Sequence, residues 1–170
     1  MDVHGSENSS ASPLRAAVIT VSDRASRGER EDLSGPVAVS ALRVDGFECD
    51  DAVVVPDGVD SVERALIAMI AAGARVVVTT GGTGLGPRDE TPEATLRVIE
   101  REVPGIAEEL RRIGAAAKPS GMLSRGVAGV ARGALIVNLA GSPAAVRDGM
   151  PVVVAVARHA VAQLAGEDHG

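Results

Sequence analysis

The chain has 170 residues, 45% of them hydrophobic, at a mean hydropathy of +0.17, which is enough to bury one core and excludes a disordered chain. A net charge of −6 and a pI near 5.1 argue against nucleic acid and anionic membrane surfaces as partners. A single aromatic residue, Phe47, excludes the stacking platforms that grip single-stranded nucleic acid.

Residues 1–13 are polar, lack an apolar signal core and read as a disordered lead-in. Residues 14–165 then read as one domain and 166–170 as a frayed tail. The first apolar run, Ala16–Val21, is continuous rather than alternating and ends in Ser22-Asp23. Continuous runs suit strands covered on both faces, as in a parallel sheet between helices. Cys49 is alone, so no disulfide can form within the chain, which fits a reducing, cytoplasmic setting. Ala52–Val55 predicts a second strand, followed by Asp57 in a turn.

Asp60 with Glu63 resembles a capping box. Val62, Ala65, Leu66, Met69 and Ile70 follow at helical spacing, with Gly73 at a C-terminal cap position. Arg75–Thr80 is a third strand. Thr91-Pro92-Glu93 predicts a helix start with Thr91 as N-cap, ending before Pro104. Ile106, Leu110 and Ile113 continue on a new axis. Ala134–Leu139 is the last strand, and Val153, Ala157, Ala160 and Leu164 predict a final helix beginning near Pro151. No apolar run reaches the roughly 18 residues a membrane span needs. The alternation implies an α/β domain with three layers, α/β/α, and a mostly parallel central sheet. In such sheets ligands sit at the carboxyl ends of the strands.

The loop Thr80-Gly81-Gly82-Thr83-Gly84-Leu85-Gly86-Pro87-Arg88-Asp89 follows the third strand. Gly81, Gly82, Gly84 and Gly86 allow close approach and positive φ, and successive N–H groups make an anion-binding concavity. A Walker A loop would need Lys-Ser/Thr after Gly86, where Pro87-Arg88 stand. The dinucleotide fingerprint fails as well, since its third glycine would fall on Pro87. Asp57 and Asp89 are two strand-end carboxylates, and Mg²⁺ is usually held by one or two carboxylates together with phosphate oxygens. Ser124-Arg125, Asn138 and Gly141-Ser142 are weaker candidates near the last strand. His4, His159 and His169 have no metal-ligand spacing, and no Gly-x-Ser-x-Gly elbow occurs.

Together these segments resemble the molybdopterin adenylyltransferase family, the MogA/MoaB group of molybdenum-cofactor biosynthesis. The matching residues are Val21-Ser22-Asp23-Arg24, Asp32-Leu33-Ser34-Gly35-Pro36, Val55-Pro56-Asp57, Thr80–Gly84 with Arg88–Ala94, Leu123-Ser124-Arg125 and Asn138–Pro143. They run in family order over about Arg15 to Leu164; Ala140 stands where the family often has Pro.

The resemblance implies a molybdopterin-binding-like fold, usually a homotrimer. It implies transfer of AMP from ATP to molybdopterin, giving adenylyl-molybdopterin and pyrophosphate ready for molybdate insertion, with a molybdate-inserting partner protein downstream. Asp57 and Asp89 would be catalytic and hold Mg²⁺. Ser22, Asp23, Thr80, Gly81, Gly82, Thr83, Gly84, Ser124, Arg125, Asn138, Gly141 and Ser142 would bind substrate. The alternatives are a molybdopterin-binding paralogue without transferase activity and an interaction or scaffold module of the same fold.

Overall fold

The computed structural model describes residues 12–167. Residues 1–11 of the expected lead-in and 168–170 of the expected tail therefore fall outside the described residues. Seven strands form one sheet: β1 (Arg15–Val21), β2 (Glu48–Cys49), β3 (Val53–Val55), β4 (Val76–Thr80), β5 (Arg101–Glu102), β6 (Ala128–Ala131) and β7 (Ala134–Leu139). Its order is β2-β1-β4-β7-β6-β5, with β3 pairing β1 further along the edge that β2 begins. The β1, β4 and β7 pairings are parallel, whereas β5 and β6 add an antiparallel margin. The four expected strands are all present, and the sheet is mostly parallel as expected.

Strand periodicity of two divides the core. Val18, Val76, Val78, Leu135 and Val137 face one side, where α2 (Gly35–Val44), α5 (Pro104–Ala117) and α6 (Pro143–Leu164) pack. Ile19, Val77 and Ile136 face the other, against α3 (Val59–Ala71) and α4 (Thr91–Val98). Both faces are dry, which is why these runs read as continuous in sequence. The one aromatic, Phe47, is buried under the Arg158 guanidinium, 4.4 Å from its ring centroid. Cys49 is buried as well, and burial pushes its thiol up, away from the thiolate form a nucleophile needs.

Three local expectations differ from the structure. Asp60 does not cap α3; Gly58, at φ 114°, is the N-cap, and the Val59 amide donates to Glu90 Oε2 at 3.1 Å instead. Thr91 is the first residue of α4 and Glu90 its N-cap, because the Thr91 amide is taken by Gly82 O. The helix opened at Thr91 ends at Val98, before Pro104 as expected, and β5 intervenes before Pro104 opens α5. The last helix starts at Pro143, not near Pro151. Ser142 Oγ accepts from the Ala145 amide at 3.1 Å and caps it. Pro151 lies inside this helix, where proline costs about 3 kcal/mol. The buried stripe Val146, Met150, Val153, Ala157 and Val161 runs through that position unbroken and offsets the cost. Gly73, at φ 103°, ends α3 as expected.

Candidate active site at the strand ends

The chain leaves β1, crosses to β2 and β3 on one side, and returns through α3 to β4 on the other. The carboxyl ends of β1 and β4 therefore mark a switch point, where the loops diverge and leave a crevice. Three loops meet there: Ser22-Asp23 after β1, Pro56-Asp57 after β3 and the glycine loop after β4.

Gly81 and Gly82 have φ of 93° and 69°. A Cβ on Gly81 would lie 2.3 Å from Val21 O, so β1 and β4 can end side by side only with glycine there. Gly84 and Gly86 do not need positive φ. Their Cβ atoms would lie 2.9 and 2.8 Å from Asp89 Oδ2, so these glycines make room for that carboxylate. Asp89 Oδ2 in turn accepts from the Gly86 amide at 2.9 Å, which folds the loop around it.

Asp23 and Asp57 brace each other. The Asp23 amide donates to Asp57 Oδ2 at 2.9 Å, and the Asp57 amide donates to Asp23 Oδ1 at 3.1 Å. Arg88, which sequence reasoning left out of the site, spans both loops. Its guanidinium donates to both Asp23 carboxylate oxygens at 3.1 Å and to Asp57 O at 2.9 Å. Those bonds hold the Asp23 carboxyl below the usual aspartate range. Asp57 moves the other way: burial raises it, and the neighbouring Asp23 and Asp89 carboxylates add to the effect against the Asp23 amide. Asp57 and Asp89 are thus close enough to feel each other's charge.

A pH dependence follows from Asp57. A carboxyl raised by folding still holds its proton where the unfolded chain has lost it, so its ionised form costs stability above the folded pKa. That cost disappears as pH falls through the folded pKa. Asp57→Asn, which keeps an oxygen for the Asp23 amide, is expected to melt higher than wild type near pH 7, with the gap closing on acidification. Thermal melts across the acid range check this; a gap that widens at low pH contradicts it.

Two cavities flank the crevice. The larger, of about 490 Å³, is walled by Gly81–Gly84 with Asp89, Ser124, Asn138, Gly141 and Ser142, and by apolar Leu110, Ile113 and Leu123 opposite. Arg111 and Lys118 also line it and bring positive charge. The second, of about 360 Å³, is lined by Ser22, Asp32, Ser34 and Thr80. Gly81, Gly141 and Ser142 line both. Asp23 and Asp57 line neither; Asp57 stands behind Gly82, where a Cβ would lie 3.2 Å from Asp57 Oδ1.

Several candidate side chains are engaged inside the protein. Arg125 donates from Nε to Gly84 O at 2.9 Å, from Nη2 to Asp89 O at 2.7 Å and from Nη1 to Glu93. It is a strut that holds the glycine loop open. Asn138 accepts from the Val127 amide and donates to Thr79 and Thr95, tying β7 to β4 and α4. Thr80 Oγ1 meets Ser34 Oγ at 3.0 Å, and Asp32 accepts from Thr20, Ser34 and the Gly35 amide. This hydroxyl network was legible only as the segment Asp32-Leu33-Ser34-Gly35-Pro36, without a role.

Mg²⁺ takes hard oxygen donors and keeps open positions for phosphate and water. Asp57 and Asp89 fit that chemistry: Asp57 Oδ1 accepts no hydrogen bond among the described residues, and Oδ2 has only one donor. Those residues contain no group of three or more His, Cys, Asp or Glu able to hold a metal by themselves. A pair of carboxylates completed by phosphate oxygens is therefore the arrangement the site can offer.

No helix among the described residues is long and apolar enough to cross a membrane. Residues 17–159 match the family described as a probable molybdopterin binding domain. The chain is 38% identical over 140 residues to molybdopterin adenylyltransferase of Escherichia coli, covering 79% of this chain and 71% of that one. It is 39% identical over 155 residues to a molybdenum cofactor biosynthesis bifunctional protein of Synechococcus elongatus, spanning 91% of this chain but only 49% of that protein. The structure of the molybdopterin biosynthesis Mog protein from Mycobacterium ulcerans superposes with a TM-score of 0.85 at 41% identity, over 92% of this chain and 100% of that one. With the family match covering most of the domain and the glycine loop, the braced carboxylates and the strand order in place, the chain belongs to the molybdopterin-binding domain family of molybdenum-cofactor biosynthesis.

Proposed function

We propose that this chain is a molybdopterin adenylyltransferase that works as a cytoplasmic homotrimer and passes its product to a molybdate-inserting partner. The observation that carries the reaction is the glycine loop, whose Gly82 and Gly84 lie against the Asp57 and Asp89 carboxylates and whose Gly81–Gly84 segment walls the larger cavity. The names borne by the curated relatives support the same reading.

In this reaction an oxygen of the terminal phosphate of molybdopterin forms a bond to the α-phosphorus of ATP. The bond from that phosphorus to the bridging oxygen breaks, and pyrophosphate leaves with the electron pair. Two polyanions must meet, so positioning and charge neutralisation supply most of the rate. Mg²⁺ bound by Asp57 and Asp89 would supply a Lewis acid for the phosphate oxygens. The rest belongs to the chain. The amides of Gly82, Thr83 and Gly84 offer donors to phosphate while that of Gly81 is taken by Leu139 O, Arg111 and Lys118 add positive charge at the larger cavity, and its apolar wall excludes water. Arg125 keeps the loop in the open shape this requires.

Incubating the purified protein with ATP, Mg²⁺ and molybdopterin is expected to release pyrophosphate and yield adenylyl-molybdopterin by mass spectrometry. Retention of molybdopterin without product would place the chain among non-catalytic binders.

A further inference from the structure

Thr91 opens α4 on the floor of the glycine loop and is fully buried. Its Oγ1 is the one buried side-chain polar atom without a hydrogen-bond partner among the described residues. Both backbone groups of Thr91 are engaged. The Thr91 amide donates to Gly82 O at 3.0 Å, and its carbonyl accepts from Thr95 Oγ1 at 2.8 Å. A hydroxyl stranded in the core loses its hydrogen bonds to water and gains nothing in return. Such a group calls for a reason beyond packing, since valine would fill the same space.

Gly82 shows where the hydroxyl points. A Cβ on Gly82 would lie 2.2 Å from Thr91 Oγ1 and 3.2 Å from Asp57 Oδ1. A donor without an acceptor and a carboxylate oxygen without a donor thus share the space that a side chain at Gly82 would fill. In this state the other Asp57 oxygen is held by the Asp23 amide.

We propose that Thr91 is a positioning residue for Asp57. Its hydroxyl donates to the Asp57 carboxylate once that group leaves the Asp23 amide to take a divalent cation. The proposal rests on Asp57 being a cation ligand, as the function proposed above requires. A ligating carboxylate needs its second oxygen held, and a neutral hydroxyl does this without competing for its charge. The loop needs glycine at Gly82 to keep the path between the two groups clear.

The test compares Thr91→Val with Thr91→Ser. Mn²⁺ binding is followed by electron paramagnetic resonance in the presence of α,β-methylene-ATP, and each variant's melting temperature is measured without ligand. Wild type and the serine variant are expected to bind Mn²⁺ alike. The valine variant is expected to bind about tenfold more weakly, with a melting temperature equal to or above wild type. A valine variant that binds like wild type overturns the proposal. So does one that loses stability together with binding, a serine variant that fails with the valine one, or a wild type that takes up no Mn²⁺. Adenylyl transfer is assayed separately. Its absence from wild type with the Mn²⁺ pattern intact removes the transferase reading and leaves the role of Thr91 standing.

Discussion

Asp89→Asn is expected to lower the turnover of adenylyl transfer by about 10²–10³-fold, while leaving the melting temperature within about 2 °C of wild type. Asparagine has the shape of aspartate, so its side-chain oxygen can still accept from the Gly86 amide that Asp89 Oδ2 now holds at 2.9 Å. The space opened by Gly84 and Gly86 stays filled. What changes is charge, together with one oxygen that becomes an N–H₂ donor. If Asp89 served only to fold the loop, the variant would keep near-normal rates. Steady-state kinetics with varied Mg²⁺, beside a thermal melt, separates the two cases, and a rate within about threefold of wild type would remove Asp89 from the catalytic centre.

The second large effect concerns stability. Gly81→Ala places a methyl group 2.3 Å from Val21 O at a residue with φ of 93°. The obstacle is the backbone of β1, which cannot swing aside as a side chain would. Backbone strain and overpacking together are expected to cost about 3 kcal/mol or more. At about 2–4 °C per kcal/mol for a domain of this size, melting falls by roughly 6–12 °C. Gly28→Ala is the internal control. Its φ of 73° is comparable, yet a Cβ there meets nothing within 4 Å, so a loss of about 1 kcal/mol is expected. Equal losses at the two positions would show that φ alone, and not the approach of β1 to β4, sets the need for glycine at Gly81.

Recognition of the family from sequence rested on short segments that chemistry constrains strongly. Glycines before an acidic residue and a helix leave few alternatives once the Walker and dinucleotide patterns fail. The wrong readings share a cause. Thr91 was assigned as an N-cap, and Asp60 as a capping-box residue, from neighbours in sequence. The actual partners come from afar: Glu90 reaches the start of α3, and Gly82 O takes the Thr91 amide. Pro151 was given the start of a helix because local propensity disfavours proline inside one. A buried stripe of 22-residue α6 decided otherwise.

Arginine in a glycine-bearing loop suits phosphate, and only the fold shows that Arg125 also braces the loop through Gly84 O, Asp89 O and Glu93. Neither Arg88 nor Thr91 carried a sequence signal for the role the fold gives it. Their importance lies in what faces them, Asp23 for one and the empty side of Gly82 for the other.

By itself the amino-acid sequence determined the layered α/β class, the four main strands, the glycine loop and the two carboxylates to mutate. These follow from periodicity and from residue types whose backbone or charge admits few uses. Only the tertiary structure decided the antiparallel margin of β5 and β6, the mutual bracing of Asp23 and Asp57, and the stranded hydroxyl of Thr91. Each of these depends on groups far apart in the chain, where pairing, burial and missing partners arise from packing and leave no periodic trace in sequence.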